Sequence, residues 1–198
     1  MHNATTVQRS QSASHVQRRT PTSFPKRPES SHLPNFVDFN RVDGTKLPAF
    51  PFDLALMDFH GADLREVNWC EADLTGADLS HANLSAADLT RIRALGANLM
   101  EAQLEEVLAR GAALCGANLC KAVVRNADLQ NANLAWSDLS HANLFGADLR
   151  GANLAWADLT GADLRMVNLH HARCNRFTQW PKGFNLTAHN LFLLAELY

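Results

Sequence analysis

The sequence predicts an all-β solenoid, in which the chain turns a corner every five residues and stacks coil upon coil. The first observation is a five-residue period that runs without interruption through residues 57–176. The second is its composition. Of the twenty-four central residues from Phe59 to Cys174, eighteen are Leu, and eighteen units have Ala two positions before the centre. The residue directly before the centre is Asp or Asn in eighteen units.

The third observation is that no straight element accommodates this period. On an α-helix, successive Leu residues would lie ~140° apart, and the apolar residues would spread over every face. On a straight strand an odd period would place successive Leu residues on opposite faces. A corner in every unit directs the Ala and the Leu of that unit to the same inner side, and four corners close a coil of about twenty residues.

The residues directly before the centres form a column of Asp and Asn, and we interpret this column as structural rather than functional. Short Asp and Asn side chains suit corners because they bond nearby backbone groups and tolerate unusual dihedral angles. The units between Ile92 and Val124 are irregular, and this zone is either a partner-facing surface or drift in a tolerant repeat. Within it, Ile92 with Ala94 and Val107 with Ala109 reverse the usual small and large positions, which predicts conserved core volume. The units there that lack Asp or Asn include those at Arg93, Leu108, Ala113 and Val123.

The A-(D/N)-L-x-x run, as in Ala-Asn-Leu-Phe-Gly at residues 142–146, resembles the pentapeptide-repeat family over about 120 of the 198 residues. The resemblance implies a right-handed quadrilateral β-helix of about six coils of 20 residues. Residues 177–184 resemble the T-x-(W/F)-P-x-G-F segment that follows such repeats. We expect a short C-terminal α-helical cap after it, beginning near Thr187. In some family members this end forms a two-fold dimer, so a homodimer through the C-terminal segment is one arrangement that the resemblance allows.

The flanking segments divide the chain further. Residues 1–34 are rich in Ser, Thr, Gln, Pro and Arg, and are predicted to be a disordered basic tail. Such a tail has three possible roles: a solvated segment without a targeting signal, an organelle transit peptide, or an export leader. Residues 35–56 are predicted to be an N-terminal cap, because a first coil exposes its apolar interior and unpaired backbone. Residues 57–176 form the repeat and 177–198 the C-terminal cap.

Two outward aromatic features are candidate protein contacts. Trp136 and Trp156 lie twenty residues apart and therefore occupy the same position in adjacent coils, with Arg176 next in the column. Adjacent exposed Trp residues are typical of contact surfaces. Packing beneath a loop or against the C-terminal segment is the equal alternative. Phe145 is a further outward aromatic residue.

Two columns of acidic residues favour a runner-up function. The first contains Asp58, Asp78, Asp138 and Asp158, and the second contains Asp88, Asp128 and Asp148. Quinolone-resistance members of the family are thought to mimic DNA and bind a type II topoisomerase, gyrase. Duplex DNA carries one charge per ~1.7 Å. Residues 57–176 carry a net charge of −5 over roughly 29 Å, which is about three-fold sparser.

The sequence lacks the residue sets that catalysis requires. It shows no nucleophile–base pair, phosphate loop or carboxylate pair, and His81 and His141 are too far apart in their column to share a metal. The four cysteines are predicted to be free thiols. We expect no enzyme, no cofactor, no metal and no direct nucleic-acid partner. No apolar run reaches the roughly 18 residues that span a bilayer.

Three functions remain open. The first is a non-enzymatic scaffold that binds another protein. The second is a DNA mimic that binds and modulates gyrase. The third is an effector or organelle protein, exported or imported through residues 1–34; otherwise we expect a cytoplasmic protein.

Overall fold

A computed structural model describes residues 53–186 and 192–193 of the chain. The chain divides into two units, Met1–Phe36 and Val37–Tyr198, and every described residue belongs to the second. The predictions for the basic tail, for most of the N-terminal cap and for residues 187–191 and 194–198 therefore lie outside the described residues.

Parallel pairing between residues twenty positions apart builds the fold. It begins with Asp53 opposite Asp73 and continues at every fifth residue to Asn153 opposite Arg173. The backbone bonds follow one rule. The Leu79 N–H donates to the Asn98 carbonyl at 2.7 Å, and the Asn98 N–H donates to the Ala77 carbonyl at 2.9 Å. Each coil therefore satisfies the backbone of its neighbour, and the all-β solenoid prediction is confirmed.

Every unit is closed by a four-residue turn. The Ala82 N–H, for example, donates to the Leu79 carbonyl at 3.1 Å. The third residue of each turn has a positive φ at all twenty-four positions from Leu56 to His171, and only eight of these are Gly. A positive φ at this place is typical of a type II turn, for which Gly is preferred. From Leu56 to Gly151 the same residue donates its N–H to a carbonyl of the next coil, as His81 does to Met100 at 2.9 Å, and this bond holds the turn in place.

The core is a narrow stack of Ala and Leu side chains. Leu149 and Ala147 are fully buried, as are most residues at their positions. In the first complete coil, Phe59 and Trp69 fill the interior with ring centroids 5.0 Å apart. In the irregular middle, an apolar cavity of about 20 Å³ lies where Ala109 and Val124 stand at Leu positions. The predicted conservation of volume holds only in part, because the reversal at Val107 and Ala109, together with Val124, leaves this gap.

The last described coil departs from the twenty-residue spacing. Asp158 pairs with Gln179, twenty-one residues away, so one residue is inserted after Arg173. Strand β1 (Arg173–Cys174) pairs in parallel with strand β2 (Phe192–Leu193), Arg173 opposite Phe192 and Cys174 opposite Leu193. The predicted C-terminal helix is wrong at these two residues. An extended segment satisfies the backbone edge of the last coil, which a helix cannot do because its backbone groups bond within the helix.

Candidate protein-interaction site

Three aromatic rings stack along one corner of the solenoid. We call Trp136, Trp156 and Phe177 the aromatic ladder. The two indoles have centroids 4.3 Å apart and lie 6° from parallel, and Trp156 and Phe177 have centroids 3.8 Å apart and lie 7° from parallel. Trp136 remains 59% exposed, Trp156 37% and Phe177 41%. The two Trp residues are therefore stacked and exposed, and Phe177 adds a third ring. Because Phe177 belongs to the C-terminal segment, the alternative of packing against that segment also holds for Trp156.

The inserted residue places Phe177 in the ladder. From Leu56 to Gly151 the turn N–H donates to a backbone carbonyl of the next coil, as Trp136 does to Ala155 at 3.0 Å. At the insertion, the Asn175 side-chain oxygen takes this role and accepts from the Trp156 N–H and the Phe177 N–H, each at 3.1 Å. The expectation that Arg176 follows Trp156 in the column is wrong. The Arg176 guanidinium instead lies over the Phe177 ring, 4.6 Å from its centroid.

Thr178 anchors this end of the ladder to the coil before it. Its side chain is buried, and its hydroxyl donates to the Leu154 carbonyl at 2.9 Å. The same hydroxyl accepts from the Asn175 N–H at 3.1 Å. A buried hydroxyl with both a donor and an acceptor partner carries no desolvation penalty from an unmade bond, so the insertion is well supported.

The other end of the ladder opens onto two glycines. Side chains at this turn position lean towards the following coil, as Leu56 does over Gly76 and Asn126 does over Gly146. Gly96 and Gly116 precede Trp136 in its column, and an added Cβ at either would meet nothing within 4 Å. We call these two residues the glycine ledge. The face of Trp136 that points away from Trp156 therefore has open space beside it.

Phe145 lies on a different corner from the ladder. It is half-buried between Arg125 and Arg165, whose guanidinium carbons are each 5.7 Å from the ring centroid. Arg125 also pairs with Glu105 at 3.3 Å, and Arg165 pairs with Asp163 at 2.7 Å. Both faces of this ring already have cationic partners, which distinguishes Phe145 from Trp136.

The Asp/Asn column has a uniform backbone role. Every Asp and Asn at this position from Asp53 to Asn168 accepts, through Oδ1, the backbone N–H two residues later at 2.8–3.4 Å. This Asx bond leads the chain into each corner. The structural interpretation of the column is confirmed, although the positive φ falls three residues after the Asp or Asn.

The two acidic columns differ in their neutralisation. Among residues 53–186, no arginine or lysine nitrogen lies within 4 Å of the first column, Asp58, Asp78, Asp138 and Asp158. In the second column, Asp128 binds Arg110 and Asp148 binds Arg150. Burial alone would raise the pKa of Asp148, but hydrogen bonds from the Arg150 side chain and backbone hold it below its usual value.

The middle of the first column is uncharged but continuous. Asn98 donates its side-chain amide to Asp78 at 3.1 Å, and Asn118 donates to Asn98 at 3.2 Å. Burial would raise the pKa of Asp78, but hydrogen bonds from Ser80 and Asn98 lower it. The carboxylate is therefore ionised at neutral pH and held in a fixed direction.

Other chemistry is sparse in the described part of the chain. No group of three or more His, Cys, Asp or Glu residues within 53–186 and 192–193 could hold a metal ion. The four cysteines are free, as predicted. His60 and His81 have ring centroids 5.2 Å apart, and His81 lies 3.5 Å from the Glu101 carboxylate. Across these same residues, no helix is long and apolar enough to cross a membrane.

Comparison with known families identifies the repeat. The model of pentapeptide repeats matches eight copies over residues 57–91, 97–135 and 137–173. The chain belongs to the pentapeptide-repeat family. Comparison with curated proteins finds no match.

Solved structures of similar proteins include other members of this family. The pentapeptide-repeat protein alr5209 from Nostoc PCC 7120 is 34% identical; the match covers 59% of this chain and 84% of that one, with a TM-score of 0.34. HetL from Nostoc sp. strain PCC 7120, a pentapeptide-repeat protein involved in heterocyst differentiation regulation, is 30% identical over 68% of this chain and 71% of its own, with a TM-score of 0.34. QnrB1, a plasmid-mediated fluoroquinolone resistance protein, is 16% identical over 71% of this chain and 86% of its own, with a TM-score of 0.40.

Proposed function

We propose that this pentapeptide-repeat protein is a non-enzymatic scaffold that binds another protein through the aromatic ladder. The observation that carries the proposal is the exposure of a preformed stack, with Trp136 and Trp156 in parallel contact at 4.3 Å. Large aromatic side chains held rigidly lose little entropy on binding and dominate many interfaces. Because the coil backbone and the stacking already hold these rings in place, a partner would bind a preorganised surface at a low cost in entropy.

A partner screen with matched variants tests this proposal. The full chain, Trp136→Ala/Trp156→Ala and Met166→Ala are each cross-linked to bound proteins and compared. Met166 is the control because it occupies the same turn position in another column and is 79% exposed. We expect at least one partner to be lost from the double Trp variant and retained by the Met166 variant. If both variants keep every partner, the ladder is not the interface.

The acidic columns support a second proposal, a DNA mimic that binds gyrase. Its specific support is that, among residues 53–186, no arginine or lysine nitrogen lies within 4 Å of the first acidic column. In the second column, arginines neutralise two of the three carboxylates, Asp128 and Asp148. The two columns therefore provide an internal comparison.

A gyrase supercoiling assay separates the two columns. Asp58→Asn/Asp138→Asn/Asp158→Asn removes charge from the first column, while asparagine keeps the Asx bond that Asn98 makes at the same position. Asp88→Asn/Asp128→Asn/Asp148→Asn is the matched control. The mimic proposal requires that the full chain inhibit gyrase or protect it from a quinolone, and that only the first triple variant lose this effect. Absence of any effect from excess full chain rejects it.

A further inference from the structure

We propose that the exposed face of Trp136 is an arginine-binding site, in which a partner's guanidinium stacks on the indole above Gly116 and bonds to Asp138. The inference rests on the proposed scaffold function and names the chemistry of the partner at one end of the aromatic ladder. The site consists of a flat ring, an open ledge and a carboxylate.

The two ends of the ladder are chemically similar but differently occupied. At the Phe177 end, the chain's own Arg176 covers the ring face with its guanidinium 4.6 Å from the centroid. At the Trp136 end, the column continues with the glycine ledge, where added Cβ atoms at Gly96 and Gly116 would meet nothing within 4 Å. The ladder therefore stacks an arginine at one terminus and leaves a ring face open at the other.

The chain uses the same contact on another corner. Phe145 has a guanidinium on each side, from Arg125 and Arg165, at 5.7 Å from the ring centroid. Tryptophan is the strongest of the aromatic side chains in cation–π contacts. Two outward aromatic columns thus stack on arginine, and among residues 53–186 the face of Trp136 towards Gly116 has no such cover.

Charge favours a cation rather than an apolar or anionic group at this place. Asp138 follows Trp136 by two residues, roughly 7 Å along an extended chain. Within residues 53–186 it has no basic partner within 4 Å, and the same holds for Asp158 beside Trp156. The Asp138 Oδ1 accepts the Ser140 N–H at 2.9 Å, which orients the carboxylate and leaves Oδ2 available.

Arginine fits this combination better than lysine. Its guanidinium is planar and stacks on an aromatic face while its edge N–H groups bond a carboxylate. A lysine ammonium is a compact, strongly hydrated charge and cannot do both with one plane. A partner segment with an exposed arginine, flanked by small residues that lie along the glycine ledge, is the expected occupant.

The binding test uses the full chain and three short peptides that differ in one side chain. The probes are Gly-Gly-Arg-Gly-Gly, the same peptide with lysine and the same peptide with citrulline, which is planar but uncharged. The readout is the NMR signal of the Trp136 indole N–H, assigned by its loss in Trp136→Phe. We expect the arginine peptide to shift this signal and to bind several-fold more tightly than the lysine and citrulline peptides. The buried Trp69 indole should not shift.

Variants locate the site. Asp138→Asn keeps the Asx bond and should weaken arginine-peptide binding two- to five-fold, the range that corresponds to an exposed ion pair, while Asp148→Asn should not change it. Gly116→Arg should abolish binding because it supplies the occupant within the chain, and this position tolerates arginine, as Arg91 shows at an equivalent turn. Gly61→Arg, at an open turn in another column, is the control and should bind normally.

The outcomes separate this inference from the proposed function. If the arginine peptide leaves the Trp136 signal unchanged, or binds no better than the lysine or citrulline peptide, the arginine site is refuted. A partner that still depends on Trp136 and Trp156 would then uphold the scaffold function alone. If Gly61→Arg abolishes binding as fully as Gly116→Arg, the effect is general and the assigned site is wrong.

Discussion

Gly116 and Gly151 allow the cost of a side-chain contact to be separated from the cost of a turn conformation. Their φ values are +68° and +69°, so replacement by Ala strains both turns equally. A non-glycine residue in this region costs about 1–2 kcal/mol. The surroundings differ, because an added Cβ at Gly116 meets nothing within 4 Å, whereas at Gly151 it would overlap the Asn131 side-chain oxygen.

The expected destabilisation follows from this difference. Gly116→Ala should lower the free energy of unfolding by about 1–2 kcal/mol. Gly151→Ala should cost a further ~0.5–1.5 kcal/mol, because the Asn131 side chain must leave its rotamer to make room. The overlap involves the end of a side chain, so the coil itself is not forced to move. A much larger loss would mean that the backbone rather than Asn131 had to shift.

Urea unfolding of the full chain, followed by far-UV circular dichroism, measures both variants. A double-mutant cycle with Asn131→Ala isolates the contact, since removal of the amide should reduce the cost of Gly151→Ala to that of Gly116→Ala. Equal stability of the two glycine variants would refute a clash at Gly151, and so would an Asn131→Ala variant that leaves the cost of Gly151→Ala unchanged.

Three further measurements test the corner, the core and the surface charges. Asp158→Ala removes the acceptor of the Thr160 N–H at 2.8 Å and should cost about 1 kcal/mol in urea unfolding, whereas Asp158→Asn should be close to neutral; equal losses would contradict the Asx role. Ala109→Val narrows the apolar cavity of about 20 Å³ and should raise the free energy of unfolding by ~0.5–1 kcal/mol, and a decrease would show that the site is already full. A hydrogen bond from Arg165 lowers the pKa of Asp163. The ionised Asp163 therefore contributes fully to the free energy of unfolding above the unfolded pKa of about 3.9, and this contribution is lost as pH falls through the lower folded pKa. The free energy of unfolding of Asp163→Asn should fall less steeply with pH below ~4 than that of the unmodified chain, and an unchanged pH profile would disprove the link.

The five-residue period predicts most of the fold, because only a coil with a corner in every unit keeps each Ala and Leu inside. The residue types at one position of the repeat also indicate the turn conformation, which overall composition does not reveal. Eight of the twenty-four turn positions from Leu56 to His171 are Gly, and all twenty-four have a positive φ. Clustering of glycine at one position of a repeat indicates a left-handed conformation there. The sixteen other residues obscure the signal. From Leu56 to Gly151, backbone bonds to the next coil hold even non-glycine residues in this conformation.

The prediction of a C-terminal helix is wrong at residues 192–193, which form a strand. The apolar residues after Thr187 are compatible with a helix or with a strand, and short apolar runs do not distinguish the two. The deciding factor is the edge of the last coil, where Arg173 and Cys174 pair with Phe192 and Leu193. Composition alone predicts a helix in this segment, whereas backbone pairing with Arg173 and Cys174 makes residues 192–193 a strand.

The third ring of the ladder was missed because the five-residue frame was extended one unit too far. Thr178 is buried at an Ala position and Trp180 packs against the core at a Leu position. Thr178, Gln179 and Trp180 therefore occupy the Ala, Asp/Asn and Leu positions of a further repeat unit, one residue later than the five-residue period predicts. Aligned in this way, Phe177 follows Trp156 by twenty-one residues and shares its turn position. The contact of Arg176 with the Phe177 ring is visible only in the structure. The start of the segment 177–184 thus continues the solenoid and completes the aromatic ladder.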